Sequence, residues 1–396
     1  MKLLILLFFF PPLNAAEQPW QRHTIDNSSK GADGIRLADI NGDGLMDIAT
    51  GWEEGNLVRA YLHPGRGKEK QTWPAVTVGN VASPEDAVFA DLDGDGAFDV
   101  ISSCEGRTKS IFIHWAPQEK PSLLQADKWT TKVIPATAKS QSWMYALPFN
   151  VDGQHGLDLI VGSKGWNGSI GWLENPQNSR NLSEWKFHKI QEAGWIMSLI
   201  STDMNQDGLM DVLVSDRRGP KRGIYWLQHP GKNAVKEGAE WIRHDIGAAD
   251  REIKFIALGD LDQDGKDDVI GIDKTAIVWF RFQNKKWNEH VIPLPDGVGG
   301  GKSPAVFDVD LDGKNDLVFS CEGANGPLSG MRWLSWRNSP FDKEWQSHKI
   351  AGEPGLKYDR VVPYDVDGDG DLDVLCCEER DQLGVFWYEN PFGDSK

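Results

Sequence analysis

The stretch KYDRVVPYDVDGDGDLDVLCCEE, Lys357 to Glu379, decides how the rest of the chain is read. Its apolar runs RVVPY and VLCC have the look of buried strands, yet between them stand Asp365, Asp367, Asp369, Asp371 and Asp373. Carboxylates that close repel one another strongly unless a cation lies among them. The spacing DxDxDGxxD supplies oxygens at alternate positions, a glycine for the sharp turn and a closing carboxylate at position 9. Oxygen-only ligands select a hard cation, and many flexible carboxylates favour Ca2+ over Mg2+.

The same pattern, tolerating Asn, starts at Asp39, Asp91, Asn150, Asp203, Asp260, Asp308 and Asp365, so a unit of about 54 residues recurs seven times. Strands of the type WxxHxI begin at Trp20, Trp73, Trp129, Trp185, Trp241, Trp287 and Trp345, each 18 to 21 residues before its Asp motif. A third signature is an apolar strand ending in a turn with Pro, as in GWLENP, YWLQHP and FWYENP. Each unit thus supplies four short strands, and helical periodicity is absent. The expected fold is all-β: a seven-bladed β-propeller of four-stranded blades, with the Ca2+-binding loops on one face. Trp20 to Ile25 is expected to complete the last blade as its outer strand and lock the ring.

An EF-hand is excluded, because position 12 is never Glu (Thr50 and Ser102 in the first two loops) and strands flank the motif. The expected ligands are Asp39, Asn41, Asp43 and Asp47; Asp91, Asp93, Asp95 and Asp99; and Asp203, Asn205, Asp207 and Asp211. The later loops offer Asp260, Asp262, Asp264 and Asp268; Asp308, Asp310, Asp312 and Asp316; and Asp365, Asp367, Asp369 and Asp373. In the third loop, NVDGQHGLD, Asn150 and Gln154 take ligand positions and His155 replaces the glycine, so that site is expected to bind weakly or stay empty. The expected cofactor is therefore structural Ca2+ at about six or seven sites.

Seven such ions would carry the formal charge from -17 to -3, so the acidity does not imply a cationic partner and argues against nucleic acid. The opening MKLLILLFFFPPLNAA reads as a secretory signal peptide, residues 1–16, too short to span a bilayer. A single propeller domain over 17–396, secreted or periplasmic and monomeric, is the expectation. Cys104, Cys321, Cys376 and Cys377 end equivalent apolar runs and read as buried thiols, with a Cys321–Cys377 bond as the alternative.

On these motifs the chain resembles the FG-GAP or VCBS repeat family, the calcium-loop blades also found in integrin α-subunit propellers, and the resemblance covers the whole mature chain. It implies fold and calcium. For activity it is divided, since similar blades occur in adhesion proteins, in some polysaccharide lyases and in the propeller domain of fungal aldos-2-ulose dehydratase. Function must be argued from the site.

Loops that break the repeat on the face away from calcium are the place to look. Of five tryptophans outside the repeat signatures, Trp52, Trp143, Trp166 and Trp195 map there, and only Trp336 does not. Wet aromatic edges suit the apolar faces of sugar rings, although such residues also cap blade cores. Six residues past each motif's last ligand stand Glu53, Glu105, Lys164, Arg217, Lys274, Glu322 and Glu379. Six residues before each motif stand Asp33, Glu85, Met144, Met197, Lys254, Lys302 and Asp359. Blades 7, 1 and 2 are acidic at both positions, whereas blades 3 to 5 carry cations. The pattern predicts a polarised channel mouth, with Arg218 and Arg360 beside it, that holds a polyhydroxylated or anionic ligand.

All nine histidines are accounted for elsewhere, which argues against a His-based triad or zinc site. Eliminating chemistry on a uronate would fall to Lys254, Arg217 or Tyr358. Alternatively, Asp33, Glu53, Glu105, Asp359 and Glu379 could hold a catalytic divalent metal. Three functions are expected in this order: a carbohydrate-binding propeller, a saccharide lyase or dehydratase, and a protein-adhesion propeller.

Overall fold

The computed structural model describes residues 18–393; the expected signal peptide lies outside them. After β1 (Gln21–Asp26), six four-stranded sheets follow in chain order, at 32–79, 84–133, 142–192, 196–247, 256–293 and 300–349. A seventh joins β26 (Val362–Tyr364), β27 (Asp373–Glu378) and β28 (Gly384–Glu389) to β1. All neighbours are antiparallel, and the ring closes where Gln21 faces Glu389 and His23 faces Trp387. The N-terminal strand thus covers the outer edge that blade 7 would otherwise leave unpaired.

Each sheet packs on two neighbours, so both faces of the middle strands are buried. Strands such as DVISSC at Asp99–Cys104 and DVLCCE at Asp373–Glu378 are buried along their whole length. Seven apolar clusters result, one between each adjacent pair of blades. The four cysteines lie inside these layers as free thiols, so Cys321 and Cys377 are not bonded.

The repeat signatures turn out to be cross-strand contacts. The His of WxxHxI lies opposite the Trp of the third strand and stacks on it, with ring centroids 4.5 Å apart for His23–Trp387, 4.1 Å for His244–Trp226 and 4.0 Å for His348–Trp333. Its Nε2 meets the residue that opens the turn, at 2.6 Å from Glu389 and 2.8 Å from Glu174. The residue just before the turn proline then reaches the preceding blade. Asn175 Nδ2 donates to Leu92 O at 2.8 Å, and Asn390 Nδ2 donates to Val309 O at 2.9 Å. His63 and His229 bond Val366 O and Val151 O in the same way. In all four cases the acceptor is position 2 of the neighbouring Asp loop.

The Asp loops share one backbone path. Positions 4 and 6 have φ between 55° and 104° in every blade, whether filled by Gly42 and Gly44, by Gln206 and Gly208, or by Gly153 and His155. The third loop therefore keeps the fold although His155 pays the steric cost that glycine avoids. Position 9 is buried and clamps two amides. Asp47 accepts from Ile40 N (3.0 Å) and His63 N (2.8 Å), and Asp373 from Val366 N (2.8 Å) and Asn390 N (2.9 Å).

Asn390→Ala would remove the side-chain bonds to Val309 O and Leu372 O, leaving buried carbonyls unpaired. A loss of about 2 kcal/mol is expected in urea unfolding; a change below about 0.5 kcal/mol would mean that the latch contributes nothing.

Candidate functional site

The ends of the inner strands away from the Asp loops surround a chamber of about 260 Å3 whose lining comes from all seven blades. β-Bulges aim the lining inward. Pairing passes from Pro84–Cys104 to Asp86–Ser103, from Trp143–Ser163 to Tyr145–Gly162 and from Ile196–Asp216 to Ser198–Ser215, so Glu85, Met144 and Met197 are the extra residues that turn into the chamber. Inter-blade bonds fix the rungs: Ser215 Oγ donates to Lys254 O at 2.7 Å, and Ser320 Oγ to Asp359 O at 2.5 Å.

Lys302 is the buried cation of one wall. Its Nζ lies 3.1 Å from Asp359 Oδ1, 3.7 Å from Glu379 Oε1 and 3.9 Å from Glu322 Oε2. Burial opposes its charge, but Asp359, Glu379, Asp33 and Glu322 together hold it protonated well above the usual lysine range. Asp33 and Asp359 share a hydrogen bond. Burial, then the charges of Asp359, Glu379 and Glu85, push Asp33 far up. Asp359 is equally buried, yet Lys302 and the bond from Asp33 hold it down to about 2. Burial and its anionic neighbours thus favour the neutral form of Asp33, while Lys302 favours the ionised form of Asp359.

A second pair lies in blade 2, beside Lys164 of blade 3. Glu85 hydrogen-bonds Glu105, and Lys164 pairs with Glu105 and approaches Glu85 at 3.5 Å. Burial raises Glu85 well above the carboxylate range, whereas bonds from Glu85 and Lys164 lower Glu105 against its own partial burial. Deeper in, Arg36 forks onto Asp86 at 2.9 and 3.1 Å and stacks on Tyr145 at 3.9 Å, and Arg360 donates to the Tyr145 hydroxyl at 2.8 Å.

The chamber shares Lys164 and Trp195 with an outer cleft of about 960 Å3 between blades 3 and 4. Trp166, in the turn after Lys164, is fully exposed at this cleft. Trp195 is not free to stack. Lys164, Arg217 and Arg218 all lie 4.7 to 4.8 Å from its ring centre, so the indole gathers three cations at the passage into the chamber.

Several expected site residues are placed otherwise. Trp52 and Trp143 have no exposed surface and lie in the layers between blades 7 and 1 and blades 2 and 3, with Trp52 Nε1 donating to Tyr61 at 2.9 Å. Their strand parity points them at the neighbouring blade, so neither offers a wet face. Tyr358 is buried and bonded to Tyr388 (3.1 Å) and Pro354 O (3.0 Å), and burial raises its pKa, which removes it as a base. Lys254 lies behind the wall, held by Glu322 at 2.8 Å and by Gly301 O, with burial lowering its pKa. Lys274 is exposed on the rim, outside the chamber lining. Glu53, Glu105, Lys164, Arg217, Glu322, Asp359 and Arg360 do converge on the chamber, with Glu379 just behind Asp33 and Asp359. Sequence reasoning left Lys302 out of the site, although its register matches Glu85, and it missed Tyr145 and Lys357.

The opposite face holds the carboxylate groups. Ligand-capable oxygens lie within 4.8 Å of one another in Asp91, Asp93 and Asp95, in Asp260, Asp262 and Asp268, and in Asp308, Asp310 and Asp316. In the last loop Asp367 Oδ1 and Asp371 Oδ1 are buried without a hydrogen-bond partner, as oxygens awaiting a cation would be. The carboxylates of the sixth and last loops, which meet no arginine among the described residues, fit a hard cation.

Among the described residues no helix is long and apolar enough to cross a membrane. No curated protein matches the chain. Among solved structures, a chain of the crystal structure of BBS1N in complex with ARL6DN, soaked with mercury, is similar in fold. Its TM-score is 0.52 at 10% identity, over 95% of this chain and 98% of that one. The FG-GAP-like repeat matches residues 39–102 and 260–319, which are blade-sized segments spanning Asp loops 1 to 2 and 5 to 6. The chain is thus a seven-bladed β-propeller that contains FG-GAP-like repeats.

Proposed function

We propose that this is an exported propeller, clipped by Ca2+ on one face, that binds an anionic saccharide on the other. The observation that carries the reading is Trp166, fully exposed at a cleft that leads past Trp195 to the polar chamber. A ring so exposed offers its face to a sugar, and Lys164, Lys189, Arg218 and Lys221 around it outnumber Glu192 and favour carboxylate or sulfate groups. The chamber, walled by hydrogen-bonding side chains, would take one terminal sugar unit.

A second reading, a saccharide-active enzyme, is favoured by the Asp33–Asp359 and Glu85–Glu105 pairs. In each pair the pKa of one carboxyl is raised and that of its partner lowered, the division that general acid–base chemistry needs. Lys302 and Lys164 beside them would neutralise developing charge.

Calcium is supported by the repeat match, by the grouped carboxylates and by the unpaired oxygens of Asp367 and Asp371. The residues at positions 1, 3 and 5 would hold it, with position 9 close to positions 1 and 3 in the fifth and sixth loops.

Titration with uronate-containing oligosaccharides, followed by tryptophan fluorescence, is expected to show saturable binding. Trp166→Ala should weaken it about tenfold, and neutral oligosaccharides of equal length should bind less well. Absence of binding, or an unchanged affinity in Trp166→Ala, overturns the reading. Cleaved or dehydrated sugar in the same mixtures, lost in Glu85→Gln while binding persists, would establish the enzymatic reading; its absence would leave binding alone.

Metal-free protein should show a particular pH dependence. Burial raises Asp99, Asp316 and Asp373 from 3.8 to about 8, and Asp268 to about 7. Groups raised on folding take up protons, so their stability contribution is present at low pH and is lost as pH rises through about 8. The thermal midpoint of chelated protein should therefore fall between pH 5 and pH 8, and added Ca2+ should raise it more at pH 8. Equal gains at both pH values would contradict the assignment.

A further inference from the structure

Six of the seven Asp loops carry Asp at positions 1, 5 and 9, with Asp or Asn at position 3, but their surroundings divide them. In blade 2 the guanidinium of Arg180 closes on the loop, its Nε pairing with Asp93 and its Nη2 lying 3.2 Å from Asp95. Arg180 comes from blade 3, so the contact also ties two blades together. In blade 5 the guanidinium of Arg281 also closes on the loop, its Nη2 alone pairing with Asp262 and lying 3.3 Å from Asp264. It is held flat by Phe341 of blade 6, 4.9 Å from the ring centre, and only 13% of its side chain is exposed. In both loops the bridged residues are positions 3 and 5, the oxygens between which a metal ion would have to lie.

The other loops have no such fork among the described residues. The first and fourth make no ion pair, and in each Asn at position 3 donates to Asp at position 5. Lys314 in the sixth pairs only with Asp312 of its own loop, and Lys70 reaches Asp367 at 3.5 Å while it also bonds Glu389 at 2.7 Å. A lysine ammonium on a flexible stem is readily displaced, whereas an arginine fork is planar, permanently charged and matched to carboxylates.

We propose that Arg180 and Arg281 are built-in counter-ions that take the place of Ca2+ in loops 2 and 5. The inference rests on the calcium reading above. Guanidinium and metal ion compete for the same oxygens, and two cations cannot share a loop this small without strong repulsion. With loop 3 lacking carboxylates at positions 1 and 5, metal is confined to loops 1, 4, 6 and 7. Asp262 Oδ1 remains unpaired, which makes loop 5 the first place where the proposal would fail.

The test is Ca2+ stoichiometry, measured by equilibrium dialysis of the mature chain with metal analysis. About four ions per chain are expected, with Arg180→Gln and Arg281→Gln each adding about one. Six or more ions in the unaltered chain, with no change in either variant, would overturn the proposal while leaving the calcium reading intact. No bound Ca2+ in any form would remove both. The count on the unaltered chain decides the matter even where a variant does not fold.

Discussion

Buried carboxylates that need a positive partner organise this molecule. At position 9 of each Asp loop a buried aspartate joins the loop backbone, and in five of the blades both of its oxygens hold amides, the second from the end of the third strand. The residue at that strand end, His63, Asn175, His229 or Asn390, in turn bonds position 2 of the loop before it. Loop, strand end and neighbouring loop are thus linked at four of the seven junctions between blades. A cation that neutralised the loop charges would tighten these links and with them the apolar layers between blades.

Fixing one face leaves the other available for polar side chains that would otherwise be costly to bury. Lys302 among Asp33, Asp359 and Glu379 is tolerable only because the bulged rungs hold opposite charges in contact. The charges divide along the ring, carboxylates from blades 7, 1 and 2 and cations at Trp195 in blades 3 and 4. That division gives the chamber its direction, with the cationic passage on the side of the exposed Trp166.

The ring, the blade count and the strand that closes it were all legible in the sequence, because a period of seven motifs leaves little freedom. The Trp and His signatures were visible, but their meaning as a stacked cross-strand pair was not. What failed was local. Trp52 and Trp143 lie at the right end of their strands, but their side chains follow the pleat into the neighbouring blade. Lys254 and Lys302 occupy equivalent sequence positions, yet a bulge turns Lys302 inward while Lys254 is drawn behind Glu322. Such outcomes depend on a one-residue register shift that periodicity does not report. Arg180 and Arg281, outside every repeat signature, gave no signal at all until the blades were placed side by side.

The central claim is that each Asp loop and the strand end it clamps act as one electrostatically coupled unit. Hydrogen–deuterium exchange of the intact chain, with Ca2+ and after chelation, tests it most directly at the amides bound by position 9, such as those of His63, His229 and Asn390. The account predicts that chelation raises exchange at these amides and at the adjoining loops together, while the chamber-side strand ends change less. Exchange that is unaltered by chelation, or that rises equally on both faces, would contradict it.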